Sequence, residues 1–190
     1  MSWVQRMLEE KGAGGVDLSL YALLDAAKEP AVVATLEREP EAHQCLYEGA
    51  QAEELRAYAP YLVELTADSP LLYALAEKAM GHSYCVFVTC SKPLAEVRRH
   101  FRHFLLAQTE DGKEVYFRFY DPRVLRAFLP SCVREELAEF FGPLRAMWVE
   151  GREAATLSRF SIGEDGSLTE DRRGISEWAI GGREGGLLAK

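Results

Sequence analysis

The amino-acid sequence predicts an α/β fold in which strands alternate with helices. The predicted sheet is mixed or largely parallel, is packed by helices, and ends in a C-terminal hairpin and a flexible tail. Short apolar runs rich in Val, Phe, Tyr and Leu alternate with segments whose apolar residues recur at helical spacing. Proline or glycine separates most of these segments, as is typical of element ends. With 190 residues, the chain is long enough for one sizeable core.

The first half of the chain contains four predicted strands with helices between them. Residues 84–90 have the strongest strand composition and are apolar on both faces, as expected of a central strand. Helices are expected from Pro30, around Glu53, and from Pro70, where Asp68 or Ser69 serves as the N-cap. The four predicted strands are residues 18–25, 43–47, 61–65 and 84–90.

The second half continues the alternation. An apolar stripe predicts a helix from Pro93 to about Gln108, and Asp111-Gly112 then forms a tight turn. Further strands are expected over residues 113–120, 144–149 and 155–160, the last two as a hairpin. Asp121-Pro122 is typical of a helix start, and another helix is expected over residues 135–141.

These elements divide the chain into three parts. Residues 18–160 form the predicted α/β domain, and residues 1–17 precede it as a leader segment that includes the glycines of Gly12–Gly15. After residue 160 the chain is rich in Gly, Glu, Asp and Arg. This composition predicts a mobile tail over residues 161–190.

Composition excludes several classes of function. The net charge is −8, and residues 1–90 carry 14 acidic and 6 basic side chains, whereas residues 91–190 carry 16 of each. An acidic front half argues against nucleic acid or a membrane surface as partner. The chain shows no signal peptide, no apolar run long enough to span a membrane, and four scattered cysteines without a CxxC pair. We therefore expect a cytoplasmic protein.

Four patterns could carry catalysis or bind a metal or phosphate, and a structural explanation is favoured for each. Gly12–Gly15 precedes a strand, which is the wrong side for a phosphate loop, and Ser83 lacks the strand–turn–helix context of a nucleophile elbow. His100 and His103 could share a metal but lie among arginines. Cys45 and His43 share one face of a predicted strand, but a reactive thiolate also needs an exposed, electropositive setting. The prediction is no enzyme, no cofactor and no metal.

The most informative segment is the strand-to-helix corner around residues 117–123. Asp121 can cap the helix that Pro122 begins, and Arg118 and Arg123 can supply planar, multi-donor contacts to carboxylates or carbonyls beside the aromatic Tyr120. These residues form either a structural corner clamp, which spacing favours, or an anion-binding pocket. A second candidate surface is the basic face of the preceding helix, interpreted as solvated and formed by Arg98, Arg99, Arg102 and His103.

At this corner the sequence resembles a known family, the effector-chaperone (adaptor) family of type VI secretion systems, first described as a domain of unknown function. The most specific match is Phe117–Leu125, and one departure is Ala26, where a glycine is common in the family. The resemblance covers roughly residues 20–150. The matching segments are residues 21–26, 46–49, 59–65, 98–105, 112–115, 117–125, 128–130 and 140–143.

The resemblance implies a cytoplasmic loading factor. Such proteins bind a cognate toxic effector and help to seat it on the spike protein of the secretion tube, without being exported themselves. The expected partners are therefore the effector and the spike, with the corner and the basic helix face as candidate contact surfaces. The alternatives are an immunity-like protein or a structural component associated with secretion, and then a small hydrolase.

Overall fold

We analysed a computed structural model, which describes residues 3–12, 18–109, 111–153 and 155–180. The strands, numbered in chain order, are β1 (Ser19–Asp25), β2 (His43–Cys45), β3 (Pro60–Leu65), β4 (Cys85–Cys90), β5 (Leu106–Gln108), β6 (Glu114–Tyr116), β7 (Leu144–Glu150), β8 (Thr156–Ile162) and β9 (Leu168–Gly174). The helices are α1 (Trp3–Gly12), α2 (Ala31–Leu36), α3 (Gly49–Glu54), α4 (Pro70–Lys78), α5 (Leu94–His103), α6 (Pro122–Phe128), α7 (Arg134–Phe141) and α8 (Ile175–Ile180).

The main sheet is antiparallel throughout, so the prediction of a mixed or largely parallel sheet is wrong. Its seven strands follow the order β2-β3-β1-β4-β7-β8-β9, and every neighbouring pair runs in opposite directions. The central strands are continuously apolar because both of their faces are covered, as happens in parallel sheets. The continuous apolar pattern reflects burial on both faces of the sheet, and burial does not determine whether neighbouring strands are parallel or antiparallel.

One face of the sheet is covered by α1. Ala22, Phe87 and Trp148 are cross-strand partners on this face, and the Trp3 ring packs edge-on against Phe87 at 5.5 Å between centroids. Because α1 buries Trp3, Val4 and Met7, this part of the predicted leader belongs to the core. Residues 13–17 lie outside the described residues.

The opposite face carries α5, α6 and α7 around a cluster of phenylalanines. Phe101 of α5 stacks on Phe119 at 5.3 Å between ring centroids, and Phe140 of α7 packs edge-on against Phe119, Phe104 and Phe128. This cluster fixes the loop before α6 against α5. No helix in the described part of the chain is long and apolar enough to cross a membrane.

Residues 161–180 are ordered into secondary structure, which corrects the predicted mobile tail. Residues 161–162 complete β8, β9 pairs with β8 over seven residues, and α8 follows. The polar composition of β9 suits an outermost strand, because charged side chains discourage another strand from pairing along its open side. The predicted hairpin is present as β7 and β8. Residues 181–190 lie outside the described residues.

Two predicted elements around β5 and β6 are shorter than expected. The helix that begins near Pro93 ends at His103, and residues 106–108 pair with residues 114–116 in a separate two-stranded ribbon. The predicted strand over 113–120 stops at Tyr116, because the phenylalanines that follow turn inward to the cluster. Gly112 has φ +81, which the turn between the two strands requires.

Candidate functional site: an arginine-lined edge of the sheet

Three buried carboxylates meet at one edge of the main sheet. Asp25 ends β1 and Glu150 ends β7, and because both strands run antiparallel to β4 they end at the same edge. Asp121 precedes α6 and is brought close by the contact of its neighbour Arg118 with Asp25. The exposed fractions are 0% for Asp25, 3% for Asp121 and 7% for Glu150. Carboxylates at this depth are tolerated only with charged or hydrogen-bonding partners.

Asp25 is held by Arg118, which lies 93 residues later in the chain. Its Oδ2 accepts a hydrogen bond from Arg118 Nη2 at 2.5 Å, and its Oδ1 accepts one from the backbone N–H of Ala27 at 3.0 Å. The Arg118 side chain remains 43% exposed. Partial burial lowers the pKa of Arg118, but the contact with Asp25 outweighs it and raises the pKa above its ordinary value. The pair anchors the corner to β1 and leaves one side of the guanidinium in solvent.

Asp121 caps α6 and binds Arg123 at the same time. Its Oδ1 accepts from the backbone N–H of Arg123 at 2.9 Å and from Nε at 3.0 Å, and its Oδ2 accepts from Nη2 at 2.6 Å. Burial raises the pKa of Asp121, but the bonds from Arg123 outweigh it and hold the pKa below the usual range. Both contacts suit a structural clamp. The Arg123 side chain is nevertheless 56% exposed, so it can also meet a ligand.

Tyr120 ties this corner to the loop that follows β2. It is 3% exposed, and its hydroxyl shares a hydrogen bond with that of Tyr47. Burial, together with this bond, raises the pKa of Tyr120 far above its ordinary value, so the phenol stays neutral. The Arg118 guanidinium lies over the Tyr120 ring at 5.9 Å from its centroid. Tyr120 is therefore a positioning residue for Arg118.

Glu150 is enclosed by the turn between α4 and β4. Its Oε2 accepts from the backbone N–H groups of Gly81 at 2.7 Å and Ser83 at 3.2 Å, and its Oε1 accepts from Ser83 Oγ at 2.5 Å. Ser83 thus lies in a loop, as the structural explanation had it, and its hydroxyl is committed to Glu150. Its φ of +56 fits a tight turn that is fixed by side-chain bonds.

Beside Glu150 lies a cavity of about 540 Å³ that sequence analysis missed. Its charged lining includes Arg123, Arg126 and Arg152 together with Glu150 and Glu153. Part of this arginine cluster could have been predicted from the sequence, because Arg126 lies three residues after Arg123 and therefore on the same side of the predicted helix. Arg152 and Glu150 come from the end of β7 and the loop after it, whose approach to α6 only the fold reveals.

The predicted basic face of α5 divides into two parts. Arg98 donates from Nε to the Cys45 carbonyl at 2.7 Å and from Nη2 to the Tyr47 carbonyl at 3.1 Å, and Arg102 donates from Nη1 to the Leu46 carbonyl at 2.6 Å. Both arginines also bind Glu48, at 2.9 and 2.7 Å. Contrary to the prediction of a solvated face, these two residues hold the loop after β2 in place.

The other two residues of the predicted basic face remain in solvent. The Arg99 side chain is 80% exposed and stands 4.0 Å from Glu96, and His103 is 70% exposed and stands 3.4 Å from Glu139. If α5 contacts another protein, Arg99 and His103 are therefore the basic side chains of this face that can reach it.

The residues considered as a metal pair, His100 and His103, contact different groups, and so do the residues considered as a thiol–imidazole pair, Cys45 and His43. His100 Nε2 lies 2.8 Å from the Phe140 carbonyl oxygen, while His103 faces Glu139. Within residues 3–12, 18–109, 111–153 and 155–180, no group of three or more His, Cys, Asp or Glu side chains could hold a metal ion. Burial raises the pKa of the Cys45 thiol, and His43 Nδ1 lies 3.0 Å from the Glu41 carbonyl oxygen.

Comparison with known proteins identifies a family. A family model described as a domain of unknown function, DUF4123, matches residues 20–139. The match runs from β1 into α7, covers well over half of the chain, and contains Asp25 and the corner that binds it. No curated protein and no solved structure shows significant similarity to the chain. The chain belongs to the DUF4123 family.

Proposed function

We propose that this protein is a type VI secretion adaptor, which binds a cognate toxic effector in the cytoplasm and helps to load it onto the spike protein. One observation carries the proposal. The DUF4123 match over residues 20–139 includes most of the segments by which the sequence resembles the effector-chaperone family, and it includes the corner at residues 117–125 in full.

The geometry of the corner supports a binding role. Arg118 and Arg123 are each fixed by a buried carboxylate, yet their side chains are 43% and 56% exposed. A guanidinium that is already held in one orientation loses little conformational entropy when it meets a partner. Such preorganised donors suit the recognition of another protein's polar groups.

The experiment is co-purification with the effector and spike proteins encoded beside this one, using the effector's delivery region and its toxin domain separately. We expect the delivery region to retain the protein, the spike to join the complex, and the toxin domain to keep its activity. Binding only to the toxin domain, with activity abolished, would indicate an immunity protein. Retention by none of these proteins would contradict the proposal.

The contribution of α5 is tested by charge reversal at Arg99 alone. Arg102 is unsuitable for this purpose, because its reversal would also break the contacts to Leu46 and Glu48. Arg99 is 80% exposed, so the variant Arg99→Glu should fold normally. Unchanged effector retention by this variant would remove Arg99 from the contact surface.

A further inference from the structure

The cavity beside Glu150 has the size and the donors of a ligand site. Its volume of about 540 Å³ lies within the range of about 300–1,000 Å³ that is usual for ligand pockets. Guanidinium groups reach it from two elements, Arg123 and Arg126 from α6 and Arg152 from the loop after β7. Arginines from separate elements around one cavity can form several hydrogen bonds to a single oxyanion.

Arg126 is the half-buried member of this group and, within the described part of the chain, lacks a carboxylate partner of its own. It is half-buried, and its Nη1 donates to the backbone carbonyl oxygen of Glu150. Among the described residues Arg126 has no carboxylate within ion-pair distance, in contrast to Arg118 and Arg123. Burial lowers the pKa of Arg126, which reflects a cation that is poorly compensated in its surroundings. An incoming anion would supply the missing compensation.

Arg152 and Glu153 set the charge at the rim. Both are exposed and line the cavity, and within the described part of the chain Arg152 forms no ion pair. The lining holds three arginines and two glutamates, but Arg123 is paired with Asp121 and the Glu150 carboxylate is bound by the turn at residues 81–83. Arg126 and Arg152 are therefore the arginines left to bind an incoming carboxylate, which they would recognise by hydrogen bonds and local charge.

We propose that this cavity binds carboxylate groups of an acidic segment of the partner protein, with Arg126 and Arg152 as the principal donors. This inference rests on the proposed adaptor function, since it names the chemistry by which an effector segment is recognised. The protein is itself acidic, with a net charge of −8, so an acidic segment would have to bind where arginines are concentrated, as they are around this cavity.

The test is a titration of the full chain followed by NMR of the arginine Nε–H signals, which detects weak binding at individual side chains. The probes are an end-capped peptide of alternating Glu and Gly, the same peptide with Gln in place of Glu, and inorganic phosphate. We expect the Glu peptide to shift the Arg126 and Arg152 signals more than phosphate does at equal concentration, because linked carboxylates can reach both arginines, and the Gln peptide to leave them unchanged. Equal or larger shifts with phosphate, or none with the Glu peptide, would overturn the proposal.

Two variants of opposite charge sharpen the result. Arg152→Ala should weaken binding of the Glu peptide about fivefold, and Glu153→Gln should strengthen it about twofold, because exposed charges contribute on the order of 0.2–1 kcal/mol each. Arg145→Ala is the matched control, since Arg145 is exposed at the start of β7, at the opposite end of that strand from Glu150. Equal weakening by Arg152→Ala and Arg145→Ala would show only a general charge effect and would overturn the assignment.

The same variants separate this inference from the proposed function. If the unaltered protein retains the effector and Arg152→Ala retains it equally well, the cavity assignment fails while the adaptor function stands. If the unaltered protein does not retain the effector but binds the Glu peptide at Arg126, the adaptor function fails while the cavity remains a carboxylate site.

Discussion

Two arginine-rich regions of this protein use the same side chain in opposite ways. On α5, the side chains of Arg98 and Arg102 are only 21% and 27% exposed. Their N–H groups donate hydrogen bonds to the carbonyls of residues 45–47 and bind the Glu48 carboxylate. At the sheet edge, Arg118 and Arg123 bind buried carboxylates and remain about half exposed. The density of arginine is similar in the two regions, and at the sheet edge Arg123 also lines the cavity beside Glu150.

The difference follows from what each region must satisfy. Around the loop after β2, the backbone carbonyl oxygens of residues 45–47 face α5. Arg98 and Arg102 of this helix donate hydrogen bonds to them. The sheet edge instead has buried carboxylates, and one N–H group of a guanidinium can satisfy such a group while the others stay free. An arginine is therefore available to a partner when its anchor leaves part of the fork unused.

The largest expected effect comes from removing the most deeply buried anchor. Asp25→Ala should lower the free energy of unfolding by about 3 kcal/mol, because the Ala27 N–H loses its acceptor and Arg118 loses its counter-ion. Urea denaturation measures this loss. Adding Arg118→Ala to that variant should cost little more, since the partner is already gone. Additive losses would mean that the edge is not organised around this pair.

On α5, the comparison predicts a structural role for Arg98 and none for Arg99. Arg98→Ala should destabilise the fold by about 2 kcal/mol, because the carbonyls of Cys45 and Tyr47 and the Glu48 carboxylate lose donors. Arg99→Ala is the neighbouring control and should change stability by less than about 0.5 kcal/mol. Equal effects in urea denaturation would remove the distinction between the two halves of this helix.

Asp121 allows the cap and the ion pair of the corner to be separated. Asp121→Ala should cost about 1 kcal/mol, because the N-cap of α6 is lost. Asp121→Asn keeps a side-chain oxygen for the cap but loses the charge that faces Arg123, which is more than half exposed. We expect Asn to restore most of the stability in thermal unfolding. A full loss with Asn would show that the ion pair carries the corner.

Sequence predicted the positions of the central strands but not their directions. Continuous apolar runs such as Cys85–Cys90 reflect burial on both faces, and helices can cover both faces of an antiparallel sheet as well as a parallel one. Strand β9 was missed because an edge strand needs few apolar residues, so its composition resembles that of a polar tail.

The site was predictable in its local half only. Asp121, Pro122 and Arg123 are consecutive, so their capping geometry follows from sequence. The pairing of Arg118 with Asp25 spans 93 residues and depends on the order of the strands. The spacing of the basic residues on α5 could also have predicted which of them are buried. Arg98 and Arg102 share one side of the helix, and Arg99 and His103 share the next, which is how the structure divides them.

The smallest expected effect concerns His100, which lies on α5 between Arg98-Arg99 and Arg102-His103. Burial lowers the pKa of His100 below 6.5, and nearby His103 adds to this, although the bond to the Phe140 carbonyl opposes it. Because the folded protein resists protonation of this ring, the unfolded chain binds more protons below about pH 6.5. The stabilising contribution of neutral His100 is therefore present above that pH and is lost as pH falls through the folded pKa.

Replacing His100 with Gln tests this titration. Gln keeps an N–H donor for the Phe140 carbonyl but cannot titrate, while His103 and Glu139 remain in both proteins. We expect the stability difference between His100→Gln and the unaltered protein to shift in favour of the variant as urea denaturations are repeated from pH 7 to pH 5. A difference that stays constant over this range would mean that His100 is protonated as easily when folded as when unfolded. In that case α5 would hold His100 as an exposed group, as it holds Arg99, and the buried side of α5 would consist of Arg98 and Arg102 with the apolar residues alone.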